Sequence, residues 1–195
     1  GRFQLDDPIS RYLPVFADMR VFSGGNAEHF ETVAAETPIT FKHLLTHTSG
    51  LTYGFLEATP VDALYRQHGV DFQLGSGTLA DMMPRLAALP LLAQPGQEWN
   101  YSVSTDVLGA LVEVLADQPF EDYLRERVLR PLGMHDTDFF VRADDHARFA
   151  ANYARDRSGG LKQIDSARES RYLRPRTLIS GGGGLVSTVT DYYRF

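Results

Sequence analysis

Strand-forming runs are nearly absent from this sequence while helical patterns recur, and that imbalance limits the folds open to it. The strongest helical signal covers 107–115, where Val107, Leu108, Leu111, Val112 and Leu115 form one apolar stripe. Ser102 or Ser104 is its expected cap, and Pro119 its stop. A second helix is predicted at about 120–132, supported by Glu121–Arg125 and Glu126–Arg130 pairs and ended by Gly133. Thr78 followed by Asp81 reads as a capping box opening a helix through Leu89, which Pro84 should kink or delay.

The remaining signals are shorter. Ile9 and Leu13, between Pro8 and Pro14, fit one or two helical turns. Thr40 can cap a short helix carrying Phe41, Leu44 and Leu45, with Gly50 as its end, and another helix fits 61–67. Residues 17–37 are polar, with a short strand expected only at 30–33. Pro95-Gly96 marks a turn, and a last helix starts at Thr190-Asp191. A self-sufficient α/β enzyme would show several strong strand runs. Helices between irregular segments read instead as the helical part of something larger.

Composition narrows the function. At 195 residues the chain is one domain or one and a half. Cysteine is absent, which excludes disulfides, thiolate nucleophiles and Cys-ligated metal centres. Lys plus Arg number 19 against 25 Asp plus Glu, for a net charge of -6, and only Lys42 and Lys162 are lysines. Without a dense basic run, nucleic acid is not an expected partner. The longest apolar run, 86–93, is broken by Pro90 and falls short of the roughly 18 residues a membrane-spanning helix needs.

His43 and His47 stand at i and i+4, a spacing able to put two imidazoles on one metal. The zinc-protease pattern needs Glu directly after the first His, and Leu44 stands there, so a structural role at a helix end is expected and no metal. The glycines at 181–184 lack both the following Gly-Lys-Ser/Thr of a phosphate loop and the third glycine of a dinucleotide loop, Val186 standing in its place. They are expected to let backbone approach a buried surface or a ligand, and no cofactor is indicated. No Gly-x-Ser-x-Gly occurs. No Ser-x-x-Lys occurs either, since Ile39 and Gly159 stand three before the lysines. Tyr101 lies between a Pro-Gly turn and the N-terminus of the best helix. A tyrosine so placed, helped by the helix dipole and a nearby ammonium, can act as a general base; the alternative is a ring anchoring a loop to the core.

Four segments carry a family resemblance. Ile-Thr-Phe-Lys-His-Leu-Leu-Thr-His-Thr-Ser-Gly-Leu at 39–51, Pro-Gly-Gln-Glu-Trp-Asn-Tyr-Ser at 95–102, Val-Leu-Arg-Pro-Leu-Gly-Met at 128–134 and Ser-Gly-Gly-Gly-Gly-Leu-Val-Ser-Thr at 180–188 are similar, in order, to the serine β-lactamase and penicillin-binding-protein-like hydrolases. The likeness is strongest to the class C β-lactamase-like branch, which includes family VIII carboxylesterases. It implies an α+β fold of the β-lactamase/transpeptidase type, in which a mostly helical subdomain is inserted into an α/β domain with an antiparallel sheet. Residues 1–195 would then be a partial domain, with the helical subdomain at about 40–175 and the return into the α/β subdomain at 176–195.

The resemblance also implies a mechanism. A serine, with a lysine one helical turn later, attacks an ester or lactam carbonyl and forms an acyl-enzyme that water releases, while Lys and a motif Tyr move the protons. Of these groups only the tyrosine maps onto this chain, as Tyr101, general base for acylation and acid for the leaving group. The third motif position is Val103 rather than the Asn or Ser common in lactamases, which favours an esterase. Ser102 and Ser104 are placed in the same pocket as substrate-lining residues. The Ser-x-x-Lys helix is expected before Gly1 and a closing strand motif after Phe195, so residues 1–195 alone are expected to be inactive. A lactamase or D-amino-acid peptidase, or a non-catalytic binding protein on the same scaffold, are the alternatives.

Overall fold

A computed structural model describes residues 1–70 and 76–195. They form two compact units, Gly1–Tyr123 with Thr177–Gly183, and Leu124–Arg176 with Gly184–Phe195.

The first unit holds the main apolar core. It opens with single 3-10 turns at Ile9–Arg11 and Pro14–Phe16, as the paired prolines lead one to expect. A hairpin follows, β1 (Arg20–Gly25) antiparallel to β2 (Phe30–Ala34). The strand expected at 30–33 is β2. Its partner β1 escapes the sequence pattern because a bulge between Phe22 and Gly24 breaks the alternation on which a strand is read.

Among the described residues five α-helices follow: α1 (Phe41–Leu45), α2 (Pro60–His68), α3 (Leu79–Ala87), α4 (Ser104–Ala116) and α5 (Phe120–Leu124), the last leading into the second unit. The first three begin with one device. Thr40, Thr59 and Thr78 each accept the N–H of the residue three further on, and that residue's side chain takes the N-cap N–H in return. α1 stops at Leu45 rather than at Gly50; Thr46 caps it and His47 takes φ +54. α3 starts at Leu79 directly after its cap, so Pro84 does not delay it, and the helix continues through Pro84 to Ala87. The carbonyl that Pro84 leaves without an N–H belongs to Ala80, and both residues lie on the exposed face. The opposite face, Leu79, Met82, Met83 and Leu86, is buried.

α4 starts at Ser104 with Val103 as its N-cap, so neither Ser102 nor Ser104 fills the expected capping role; their hydroxyls are engaged in the interior. It ends at Asp117, which adopts φ +54, before Pro119 is reached. Val107, Ala110 and Leu111 bury one side of α4 in a core shared with Leu44, Leu51, Tyr53, Leu79, Met82 and Leu86. The glycine tract closes over its first turns. Ser180 Oγ donates to the Asp106 carboxylate at 2.5 Å. A Cβ on Gly181 would lie 2.0 Å from the Thr105 carbonyl oxygen, and Gly109 leaves room on the α4 side. Here the tract serves backbone approach to a buried surface.

The second unit begins with a π-helical turn at Arg125–Leu129 that continues α5. The helix expected at 120–132 is therefore two geometries in succession, and Gly133, at φ +68, follows as its stop. A hairpin unforeseen in the sequence joins β3 (Asn152–Arg155) to β4 (Leu161–Asp165). α6 (Val189–Arg194) is capped by Thr188 and starts one residue ahead of the predicted Thr190. Arg142 and Arg148 each pair with both Asp136 and Asp145 at 2.8–3.1 Å. Among the described residues no helix is long and apolar enough to cross a membrane.

Candidate active site

Two sequence-distant segments of the first unit are laced together by backbone. The carbonyls of His47, Thr48, Gly50 and Thr52 accept the N–H groups of Asn100, Gly96, Leu92 and Val103 at 2.8, 2.7, 2.7 and 3.2 Å. The Pro95-Gly96 turn lies within this lacing, with Gly96 at φ +89 and Gln97 N–H bonded to Gln94 O at 3.1 Å, a type II geometry that glycine accepts without strain. The chain then presents Trp99 and Tyr101 just ahead of α4.

Tyr101 is 45% exposed, and among the described residues its hydroxyl has no hydrogen-bond partner. Its ring is fixed even so. His47 packs on it with centroids 5.2 Å apart, and Tyr53 with centroids 5.0 Å apart, both at inclined angles. Tyr53 is itself buried and stacks on Phe55 at 4.7 Å. The Tyr53 hydroxyl faces the glycine tract, since a Cβ on Gly182 would come within 2.6 Å of it. A partly exposed tyrosine with a gripped ring, its hydroxyl without a partner among the described residues, suits proton exchange with a bound molecule.

Ser102 and Ser104 lie beside Tyr101 in sequence but turn inward. Both are fully buried, as is Ser49. Ser102 Oγ lies 3.2 Å from His47 Nδ1 and 2.8 Å from Ser104 Oγ, and Ser104 Oγ lies 2.8 Å from Ser49 Oγ. Neither His47 nor Tyr53 stands out in the sequence as a partner of Tyr101, nor Ser49 as a partner of Ser104. The signal was the His-Thr-Ser-Gly run itself, but only folding shows that it meets the Tyr-Ser-Val-Ser run.

The histidine pair separates. His43 Nδ1 accepts the Thr40 N–H at 3.3 Å inside the capping box, while His47 turns to Ser102 and Tyr101. Burial pushes both imidazoles below their ordinary value, and Lys42 adds to the effect at His43. Among the described residues no group of three or more His, Cys, Asp or Glu is arranged to hold a metal.

The loop leading to α2 borders the site. Buried Asp62 accepts Thr52 Oγ1 at 2.7 Å and the N–H groups of Ala58 and Thr59 at 2.9 and 3.0 Å, which pins both ends of that loop. Arg66 donates to the Gly54 carbonyl. Phe55, which stacks on Tyr53, its neighbour Leu56, and Trp99, which packs edge-on to His47, are left exposed.

The site thus combines a tyrosine motif before a helix, a laced Pro-Gly turn and a glycine tract packed on that helix, in a mixed fold of helices and small antiparallel hairpins. Residues 1–195 match the Beta-lactamase family throughout, and the chain belongs to that family of serine hydrolases and acyltransferases. Its fold is the α+β fold of β-lactamases and penicillin-binding proteins. Over its full length the chain is 37% identical to Protein Rv1367c of Mycobacterium tuberculosis, covering 47% of it, and 34% identical to Esterase EstB of Burkholderia gladioli, covering 50%. The structure of simvastatin synthase (LovD) from Aspergillus terreus superposes with a TM-score of 0.79 at 31% identity, over 100% of this chain and 47% of that one. The chain thus spans about half the length of the relatives it matches.

Proposed function

We propose that the complete protein is a serine hydrolase acting on carboxylic esters through an acyl-enzyme, with Tyr101 as its proton-transfer residue. The observation that carries the reading is Tyr101 itself: its ring is gripped by His47 and Tyr53, while its hydroxyl is free among the described residues. In acylation the Tyr101 oxygen, as the phenolate, takes the proton of a serine hydroxyl as the serine oxygen attacks the ester carbonyl. As the carbon–oxygen bond breaks, that proton passes to the departing alcohol. Water then attacks the acyl-enzyme and the serine leaves in turn, reprotonated. Transfer of the acyl group to an alcohol instead of water needs no further group.

An ester is favoured over a lactam by Val103, the third motif position, which is fully buried and offers no polar side chain to a lactam amide. The exposed Trp99, Phe55 and Leu56 favour an apolar or aromatic ester. Residues 1–195 contain no Ser-x-x-Lys, so the reading places the nucleophile outside them and predicts no turnover by this stretch alone.

A fluorophosphonate probe tests the assignment. Mass spectrometry of the complete protein should find one adduct, on a serine outside 1–195. An adduct on a serine within 1–195, or none on a folded complete protein, contradicts the proposal.

A further inference from the structure

We propose that His47 is the positioning residue for Tyr101, held as a neutral imidazole with its proton on Nε2 by a chain of three buried hydroxyls. The inference rests on the assignment of proton transfer to Tyr101. Its geometry does not, because it follows from counting protons along the chain.

The chain runs from the Leu51 N–H to Ser49 Oγ at 3.3 Å, then to Ser104 Oγ and Ser102 Oγ at 2.8 Å each, and reaches His47 Nδ1 at 3.2 Å. The Leu51 N–H can only donate, and each hydroxyl carries one proton. If every O–H points towards the histidine, Ser49 donates to Ser104, Ser104 to Ser102, and Ser102 to Nδ1. Every proton then has an acceptor. If Nδ1 carried the proton, the order would reverse and end on Ser49, whose O–H has no other acceptor among the described residues. A fully buried hydroxyl without an acceptor is costly, so the first arrangement wins. It leaves Nδ1 bare and the proton on Nε2.

The backbone at His47 agrees. It follows the last turn of α1 with φ +54, a left-handed place where helices usually put glycine. A side chain is kept there at a conformational cost, and that side chain is the one packed on both Tyr101 and Trp99. Among the described residues Tyr101 is the sole titratable group in ring contact with it, and burial alone lowers the imidazole's proton affinity. Fixing the imidazole through Nδ1 therefore fixes one wall against which the Tyr101 ring lies.

Two measurements test this. Nitrogen-15 NMR of the complete protein, labelled at histidine, should show at neutral pH an unprotonated Nδ1 and a protonated Nε2 for His47. A proton on Nδ1 overturns the proposal. In the complete protein, His47→Gly accepts the positive φ but removes both ring and acceptor. It should lower kcat on a p-nitrophenyl ester by about tenfold or more with KM nearly unchanged. His47→Asn also tolerates the left-handed backbone and restores an acceptor to Ser102, so it should recover part of kcat. Unchanged kcat in His47→Gly, or an Asn variant no better than Gly, overturns the positioning role. Should His47→Gly fail to fold, the tautomer decides alone. Full activity in Tyr101→Phe would remove the proposed function instead, leaving the tautomer result standing.

Discussion

The Ser180 hydroxyl donates to the buried Asp106 carboxylate at 2.5 Å, and the same oxygen accepts the Gly182 N–H at 3.0 Å. One serine therefore ties the glycine tract to the first turn of α4, three residues into the helix that Tyr101 precedes. Ser180→Ala removes a charge-assisted bond from a carboxylate that is 1% exposed. It should cost about 1–3 kcal/mol, read as a fall in the urea midpoint with an unchanged slope.

The same packing makes Gly181 far less replaceable than Gly159. Both receive a Cβ in Gly→Ala, but at Gly181 it would lie 2.0 Å from a backbone oxygen, whereas at Gly159 nothing lies within 4 Å and only a φ of +86 opposes it. Gly181→Ala should destabilise by about 2 kcal/mol or more, and Gly159→Ala by about 1 kcal/mol. Parallel denaturant titrations check the order.

Acid should loosen the second unit. Hydrogen bonds from Arg148 and Arg142 hold the Asp136 carboxyl below its ordinary 3.8, and Arg142 and Arg148 do the same for Asp145. Below that value the unfolded chain binds these protons more readily than the folded one. The stabilisation is therefore complete above 3.8 and is lost as pH falls through the lower folded values. Arg148→Ala, which strips one donor from each carboxylate, should shrink this acid loss. Tm followed against pH in both proteins measures it.

At the start of α2, Thr59 and Asp62 fix the loop that carries Phe55 beside Tyr53. Thr59→Ala should cost about 1 kcal/mol and increase exposure of that loop to limited proteolysis.

What could be read from the sequence was local. Thr78 with Asp81 announced a helix start because both members of the box sit within one turn, and Gly133 announced a stop for the same reason. The hairpin of β3 and β4 gave no such sign: its residues are almost all exposed, so no apolar alternation marks them. Pro84 does not delay α3 because the carbonyl it leaves without an N–H lies on an exposed face. Ser102 and Ser104 were read as caps from their position ahead of α4, but tertiary partners 55 residues away claim their hydroxyls. Tyr101 was legible through its motif and its place before a helix. Its neighbours His47 and Tyr53 were not, since only backbone lacing between 47–52 and 92–103 brings those rings to it.

The proton-transfer role of Tyr101 is tested most directly by kcat of the complete protein on a p-nitrophenyl ester, with and without Tyr101→Phe. The substitution keeps the ring contacts to His47 and Tyr53 and removes only the hydroxyl. The account predicts a fall in kcat of about 10²–10⁴-fold in a protein as stable as wild type. A Phe variant that turns over the ester as fast as wild type would contradict it.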